Sequence, residues 1–147
     1  MHKIRLPDHA YVPGETARHA EGAFDSFHDS VTPGMGRDAL QHTLAWRAGL
    51  LFLEQGYFWE AHEVLEPVWM ATPHDSAEHQ MVQGAIQLAN AALKQVMNRP
   101  AAARRLCERA RGHARAARSS GGDIVMGMEV ADLEQKIESL EAQLGSE

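Results

Sequence analysis

From residue 37 onward, apolar side chains recur at three- and four-residue steps, the period of a helix with one buried face. Leu40, Leu44, Ala48, Leu51 and Phe52 predict a first long helix over residues 37–54, with Gly56 as its stop. A second helix is expected over 57–70, where Tyr57, Phe58, Ala61, Val64, Leu65, Val68 and Trp69 share one apolar arc. Pro67 lies in its last turns and removes a backbone donor, which predicts a kink or a tightened end. Ser76 or Asp75 can cap a third helix over 76–97. Its apolar side carries Met81, Ala85, Leu88, Ala89, Ala92, Leu93 and Val96, opposite a stripe of Gln80, Gln83, Gln87, Asn90 and Lys94. Asn98-Arg99-Pro100 reads as a stop and a restart, opening a fourth helix over 100–118 with Ala103, Leu106, Cys107, Ala110, Ala114 and Ala117 on one side. The last stretch, 123–144, differs in kind. Met126, Val130, Leu133, Ile137, Leu140 and Leu144 step by 4, 3, 4, 3 and 4, an a/d heptad seam.

The chain before residue 37 lacks this periodicity. Pro7, Pro13, Gly14, Pro33, Gly34 and Gly36 punctuate it, so residues 1–36 read as an irregular arm. Pro13 and Gly14 suit the centre of a turn, and residues 20–27 form at most a short helix in which Phe24 and Phe27 pin the arm to the body. The expectation is a single all-α domain, a compact bundle of about five helices built from two stacked helical hairpins. Its parts are the arm (1–36), a helical core (37–118), a Ser-Ser-Gly-Gly linker (119–122) and a heptad helix (123–147). Glu54 to Ala61 resembles the turn of a tetratricopeptide hairpin, and Met97 to Ala102 repeats it 41 residues later, a spacing too long for a true solenoid.

Composition narrows the classes. At 147 residues with ordinary apolar content the chain can bury a core without staples, and a net charge of −6 argues against broad nucleic-acid binding. No window approaches the roughly 18 apolar residues of a membrane span, the opening residues lack the apolar stretch of a secretory signal, and the lone Cys107 suits a reducing compartment. A cytoplasmic location is the expectation. The seven arginines between residues 99 and 118 suggest a solvated face, with an anion site or an acidic partner as the alternative.

The candidate chemistry concentrates in residues 56–69, where three carboxylates, an imidazole and two indoles fall within about four turns. His62 and Glu66 sit one turn apart at a border of the apolar arc, beside Trp69, whereas Glu60 and Glu63 fall on the opposite, polar side. The candidate catalytic residues are therefore His62, Glu66, Glu63 and Glu60, with His62 as proton carrier and Glu66 as its orienter. Trp69, Gln83, Gln87 and Tyr57 are the candidate ligand-binding residues. A histidine and a carboxylate at i and i+4 can also share a metal ion, but the zinc-protease pattern has histidine at both ends. His62 and Glu66 thus remain metal candidates only, with His42, His79 or Glu60 as guesses for a third ligand. No cofactor motif is identified. No serine or cysteine nucleophile stands in a recognisable context, and no glycine-rich phosphate loop is present.

Tyr57-Phe58-Trp59-Glu60-Ala61-His62-Glu63, continuing to Glu66 and Trp69, resembles the signature of the domain-of-unknown-function family numbered 309. Gln83 to Ala92 is similar to that family's second motif, Asn98 with Ala101-Ala102 to its third, and Tyr11-Val12-Pro13-Gly14 to its entry segment. There the chain departs from the pattern: the resemblance implies a Pro-His-Pro shortly afterwards, and Arg18-His19-Ala20 stands instead. The resemblance spans roughly residues 5–115 and implies a small all-helical bundle, with no activity, substrate or cofactor attached.

Three function classes follow. The first is a helical interaction or oligomerisation module, a homodimer or other homo-oligomer joined through the heptad seam, with the His/Glu cluster serving structure. The second is a small-molecule-binding or hydrolytic enzyme using His62 and Glu66. The third is a metal-binding protein. Neither nucleic acid nor membrane is an expected partner, and the sequence favours the first class.

Overall fold

The computed structural model describes residues 4–145, and it is mostly helical. In chain order the elements are α1 (Asp25–Asp29), α2 (Arg37–Leu40), α3 (Leu44–Gln55), α4 (Phe58–Ala71), α5 (Ala77–Val96), α6 (Pro100–Gly121), the short strands β1 (Ile124–Val125) and β2 (Met128–Glu129), and α7 (Val130–Leu144). Packing follows the chain. α3 lies on α4, α4 on α5, α5 on α6, and α7 closes against α6 and α5. One core runs through all of them, from Trp46 and Phe52 through Val64, Leu65 and Met81 to Leu133 and Ile137.

The expected helix over 37–54 is two helices. Thr43 interrupts it: its hydroxyl donates to the Leu40 carbonyl at 2.8 Å and accepts the Trp46 amide at 3.2 Å, so a side chain caps a new helix where the backbone ladder would have continued. Leu40 stays in the core, which is why the apolar period runs unbroken across the break. Gly56 ends α3 in the left-handed conformation, at φ 88°. Ser76 rather than Asp75 caps α5, accepting the His79 amide at 3.0 Å. Asn98, at φ 62°, turns the chain into Pro100 at the start of α6.

The linker expected at 119–122 is helix up to Gly121. A side chain there would meet the Ala77 Cβ at 2.5 Å, so glycine lets α6 end against the start of α5. The heptad helix likewise begins later than expected. Residues 124–129 form a hairpin whose two central residues, Met126 and Gly127, have φ of 56° and 69°, and α7 starts at Val130. Met126 is nonetheless buried, and its carbonyl accepts the Trp46 indole N–H at 2.9 Å.

The seam is spent inside the chain. Val130, Leu133, Ile137, Leu140 and Leu144 are all buried on the helix that packs against α5 and α6, and Met126 is buried in the hairpin before it, so the surface that motivated a dimer is internal. The arginine face of α6 also finds its partner here. Arg118 pairs with Glu134 at 2.7 Å, Arg111 with Glu141, and Arg104 donates to the Leu144 carbonyl at 3.4 Å. The acidic partner of those arginines is the chain's own last helix.

Candidate functional site

Helix α4 carries the candidate chemistry, as its composition suggested, but its faces are used differently. Glu60, expected on the polar side, is fully buried. The arm lies across that side. Its turn closes where Pro13 and Gly14 predicted, with the Glu15 amide donating to the Val12 carbonyl at 2.9 Å and Gly14 at φ 81°. Thr16 locks the turn, its hydroxyl accepting the Val12 amide at 2.8 Å and donating to the Ala10 carbonyl at 3.0 Å.

Two donors from the arm converge on one oxygen of Glu60. The Tyr11 amide donates to Oε2 at 2.6 Å, and His19 Nε2 donates to the same atom at 2.5 Å. Oε1 is buried and has no hydrogen-bond partner among the described residues. With Nε2 turned to the carboxylate, His19 Nδ1 has no hydrogen-bond partner among the described residues, in a side chain 10 % exposed. The His9 ring stacks on His19 at 4.6 Å and is held by its own Nε2–H, which donates to the Ala17 carbonyl at 2.6 Å. Trp59 meets Tyr11 edge-on at 5.0 Å and Phe24 at 6.1 Å, so aromatic rings surround the pair.

Pro67 contributes at a distance. As a proline it leaves the Glu63 carbonyl without its intrahelical donor. His28, in the last turn of α1, supplies one, its Nε2 donating to that carbonyl at 3.1 Å. The proline in the helix and the histidine in the arm thus form one attachment. α4 itself continues to Ala71. On the outer side of these contacts lies an open groove of about 480 Å³ lined by Tyr11, Arg18, Phe24, His28, Trp59 and Glu63. A second hollow of about 390 Å³, lined by Arg5, Asp8 and Phe27, shares His19 and Phe24 with the first.

The expected site residues are dispersed. His62 and Glu66 do pair, at 3.1 Å, but with side chains 34 % and 57 % exposed they form a surface contact. The second partner of His62 is Asn90, another member of the amide stripe of α5, at 2.8 Å. Gln80 of the same stripe accepts from His113 Nδ1 at 2.7 Å, so the stripe faces neighbouring helices rather than solvent alone. Glu63 borders the groove, its carboxylate 4.0 Å from His28. Tyr57 packs on Phe52 at 6.1 Å. Trp69 stacks on His79 at 4.6 Å at the far end of α4, its indole N–H buried without an acceptor among the described residues. His42 lies beside Gln41. Among the described residues no three histidine, cysteine, aspartate or glutamate side chains gather as a metal site, so His62, Glu66 and the guessed third ligands do not converge.

A separate histidine cluster joins α4, α5 and α6. Thr72 Oγ1 donates to the Trp69 carbonyl at 2.6 Å and accepts from His79 Nδ1 at 2.8 Å. Burial, and then the nearby His74, hold the His79 pKa below its ordinary value against the opposing pull of the Trp69 carbonyl and Asp75. Burial, and then His79, lower that of His113. Burial raises the Cys107 thiol, as suits an inert core residue.

Sequence reasoning missed His19, His9 and the Tyr11 amide. The signal was the histidine of Arg18-His19-Ala20, which keeps its place after the Pro-Gly turn although both flanking prolines are absent. No curated protein and no solved structure shows a significant match to the chain. The arm that supplies His19 lies outside the one segment with a match. That segment, residues 46–106, matches the family model described as Domain of unknown function (DUF309), and it contains α4 and α5.

Proposed function

We propose that the chain binds a small molecule in the groove between the arm and α4, with His19 as proton carrier and Glu60 as its orienter. The observation that carries this reading is the fully buried Glu60 carboxylate, joined to an imidazole whose second nitrogen has no partner among the described residues, beside an aromatic-lined hollow of ligand size. A buried carboxylate is costly to keep unless its partners are fixed, and such pairs concentrate where protons are exchanged. This is the second of the three classes raised by the sequence, an alternative there to the interaction module, moved from His62 and Glu66 to His19 and Glu60. The test is a thermal-shift panel of small amines, amides, carboxylates and phosphates, run on the intact chain and on Glu60→Gln. At least one compound is expected to raise the melting temperature of the intact chain, with the rise reduced in the variant. A panel without effect, or an effect indifferent to the variant, defeats the reading.

A self-associating helical module is the second reading. A cleft along the outer side of α7 favours it, where Leu50, Leu51 and Met128 lie among Arg47, Glu54, Asp132 and Lys136. Charges of both signs around an apolar floor suit a two-fold-related copy. A monomer by light scattering at micromolar concentration would remove this reading.

A further inference from the structure

The groove beside Trp59 has a chemical character that narrows its ligand. Three aromatic rings line it, from Tyr11, Phe24 and Trp59. Tyr11 and Phe24 meet Trp59 at interplanar angles of 86° and 64°, and His19 lies tilted to it at 32°, so the rings of the lining are set in several orientations. Aromatic faces carry the negative end of the ring quadrupole and attract cations, most strongly at tryptophan. Asp25 and Glu63 add two carboxylates to the lining, against one fixed positive charge, Arg18, on an exposed side chain. His28 is already engaged with the Glu63 carbonyl. The walls are therefore aromatic, and among the fixed charges of the lining the carboxylates outnumber the single guanidinium, with the ionisable His19 and His28 also in the lining. That combination disfavours an anion and offers a neutral apolar molecule contact area without charge complementarity.

We propose that the groove takes a small organic cation, an alkylated ammonium group seated against Trp59, Tyr11 and Phe24 with Glu63 as its counter-charge. The proposal rests on the ligand-binding reading above and names the ligand class for the same site. It assigns Glu63 a binding role separate from the His19–Glu60 pair: Glu63 selects charge at the mouth, and His19 meets whatever polar group the cation carries inward.

The probe is choline, and its control is 3,3-dimethylbutan-1-ol, which keeps the shape and removes the charge. Binding is followed by two-dimensional NMR on the full chain, using the indole N–H of Trp59 assigned through Trp59→Phe. Choline is expected to shift that resonance saturably, with the neutral isostere at least about tenfold weaker, as expected for a desolvated cation–π contact. Glu63→Gln is expected to weaken choline several-fold. Glu63 is 40 % exposed on its side chain, so this change leaves the fold intact and the melting temperature serves as the check. An isostere that binds as tightly as choline overturns the cation proposal and leaves the ligand-binding reading standing. So does a panel compound that shifts Trp59 when choline does not. If no compound shifts Trp59, both fall together.

Discussion

The two terminal segments of the chain are both clamps on the central helices, and they hold by different physics. α7 is attached by a row of apolar side chains, Val130, Leu133, Ile137, Leu140 and Leu144, each buried against α5 and α6. The arm has no such row. It is held by aromatic contacts to Trp59, by His28 on the Glu63 carbonyl, and by two donors on the single oxygen of Glu60. The apolar clamp is non-directional and spread over many residues, so losing one contact weakens it gradually. The polar clamp is concentrated on one carboxylate, so one substitution removes its charged contact and leaves Phe27 on Phe52 and the His28 bond as the remaining ties of the arm. Attachment by burial supplies stability, whereas attachment through a paired charge places chemistry where the two parts meet.

The largest effect separates the clamps by deletion. Ending the chain at Gly122 removes the buried seam, and at about 1.5–3 kcal/mol for each fully buried side chain the loss rivals the roughly 5–15 kcal/mol that holds a whole domain. Thermal melts followed by circular dichroism are expected to lose their cooperative transition. A truncated chain that melts as before, but changes from dimer to monomer in light scattering, would instead place the seam between subunits.

The second effect compares two pairs of the same chemistry. His19→Ala leaves the Glu60 carboxylate buried without its imidazole, at an expected cost of about 3–5 kcal/mol in urea denaturation near neutral pH. Glu66→Ala removes the partner of His62 at the surface, where the expected cost is under about 1 kcal/mol. Equal costs would mean that the arm lifts away and water reaches Glu60, and early proteolytic cleavage within the arm would report that release.

What was legible follows the same division. Periodicity exposed part of the core face of each long helix because burial of apolar area repeats along a helix, and it carried the seam of α7 across the hairpin that delays the helix start; it placed Val96 on the apolar side of α5, where it is exposed, and left out the buried Trp46, Leu53, Val82 and Ile86. Local capping was legible at Gly56, Ser76 and Asn98-Pro100 for a similar reason, since each acts within a few residues of itself. The break at Thr43 was hidden because Leu40 and Leu44 keep the helical step across it. Glu60 was misplaced on a solvent face because a single-helix projection cannot know that a segment 41 residues away supplies its donors. The pairing of His62 with Glu66 was legible and correct as geometry, being one turn apart. Its exposure was not legible, because sequence proximity says nothing about burial.

The smallest effect tests whether acid acts on the clamps or on the bundle they enclose. His79 and His113 both have folded pKa values below the ordinary value of about 6.5. The unfolded chain therefore takes up their protons first as pH falls. Stability is at its full value above about 6.5 and declines as pH drops from there toward the lowered folded values, by at most about 1.4 kcal/mol per pH unit for each group. The groups facing this junction are Thr72 and the Trp69 carbonyl from α4, His74 and Asp75 from the loop, Gln80 from α5, and each histidine toward the other. Asparagine at both positions keeps a donor near each Nδ1 toward Thr72 and Gln80 while removing the titration. Urea denaturation between pH 7.5 and 5 should show stability falling in the intact chain and a flatter profile in the His79→Asn, His113→Asn double variant. Trp69 stacks on His79, so its fluorescence supplies a local reading of the same event. An unchanged slope in the double variant would place the acid-sensitive groups outside this junction and turn attention back to the arm.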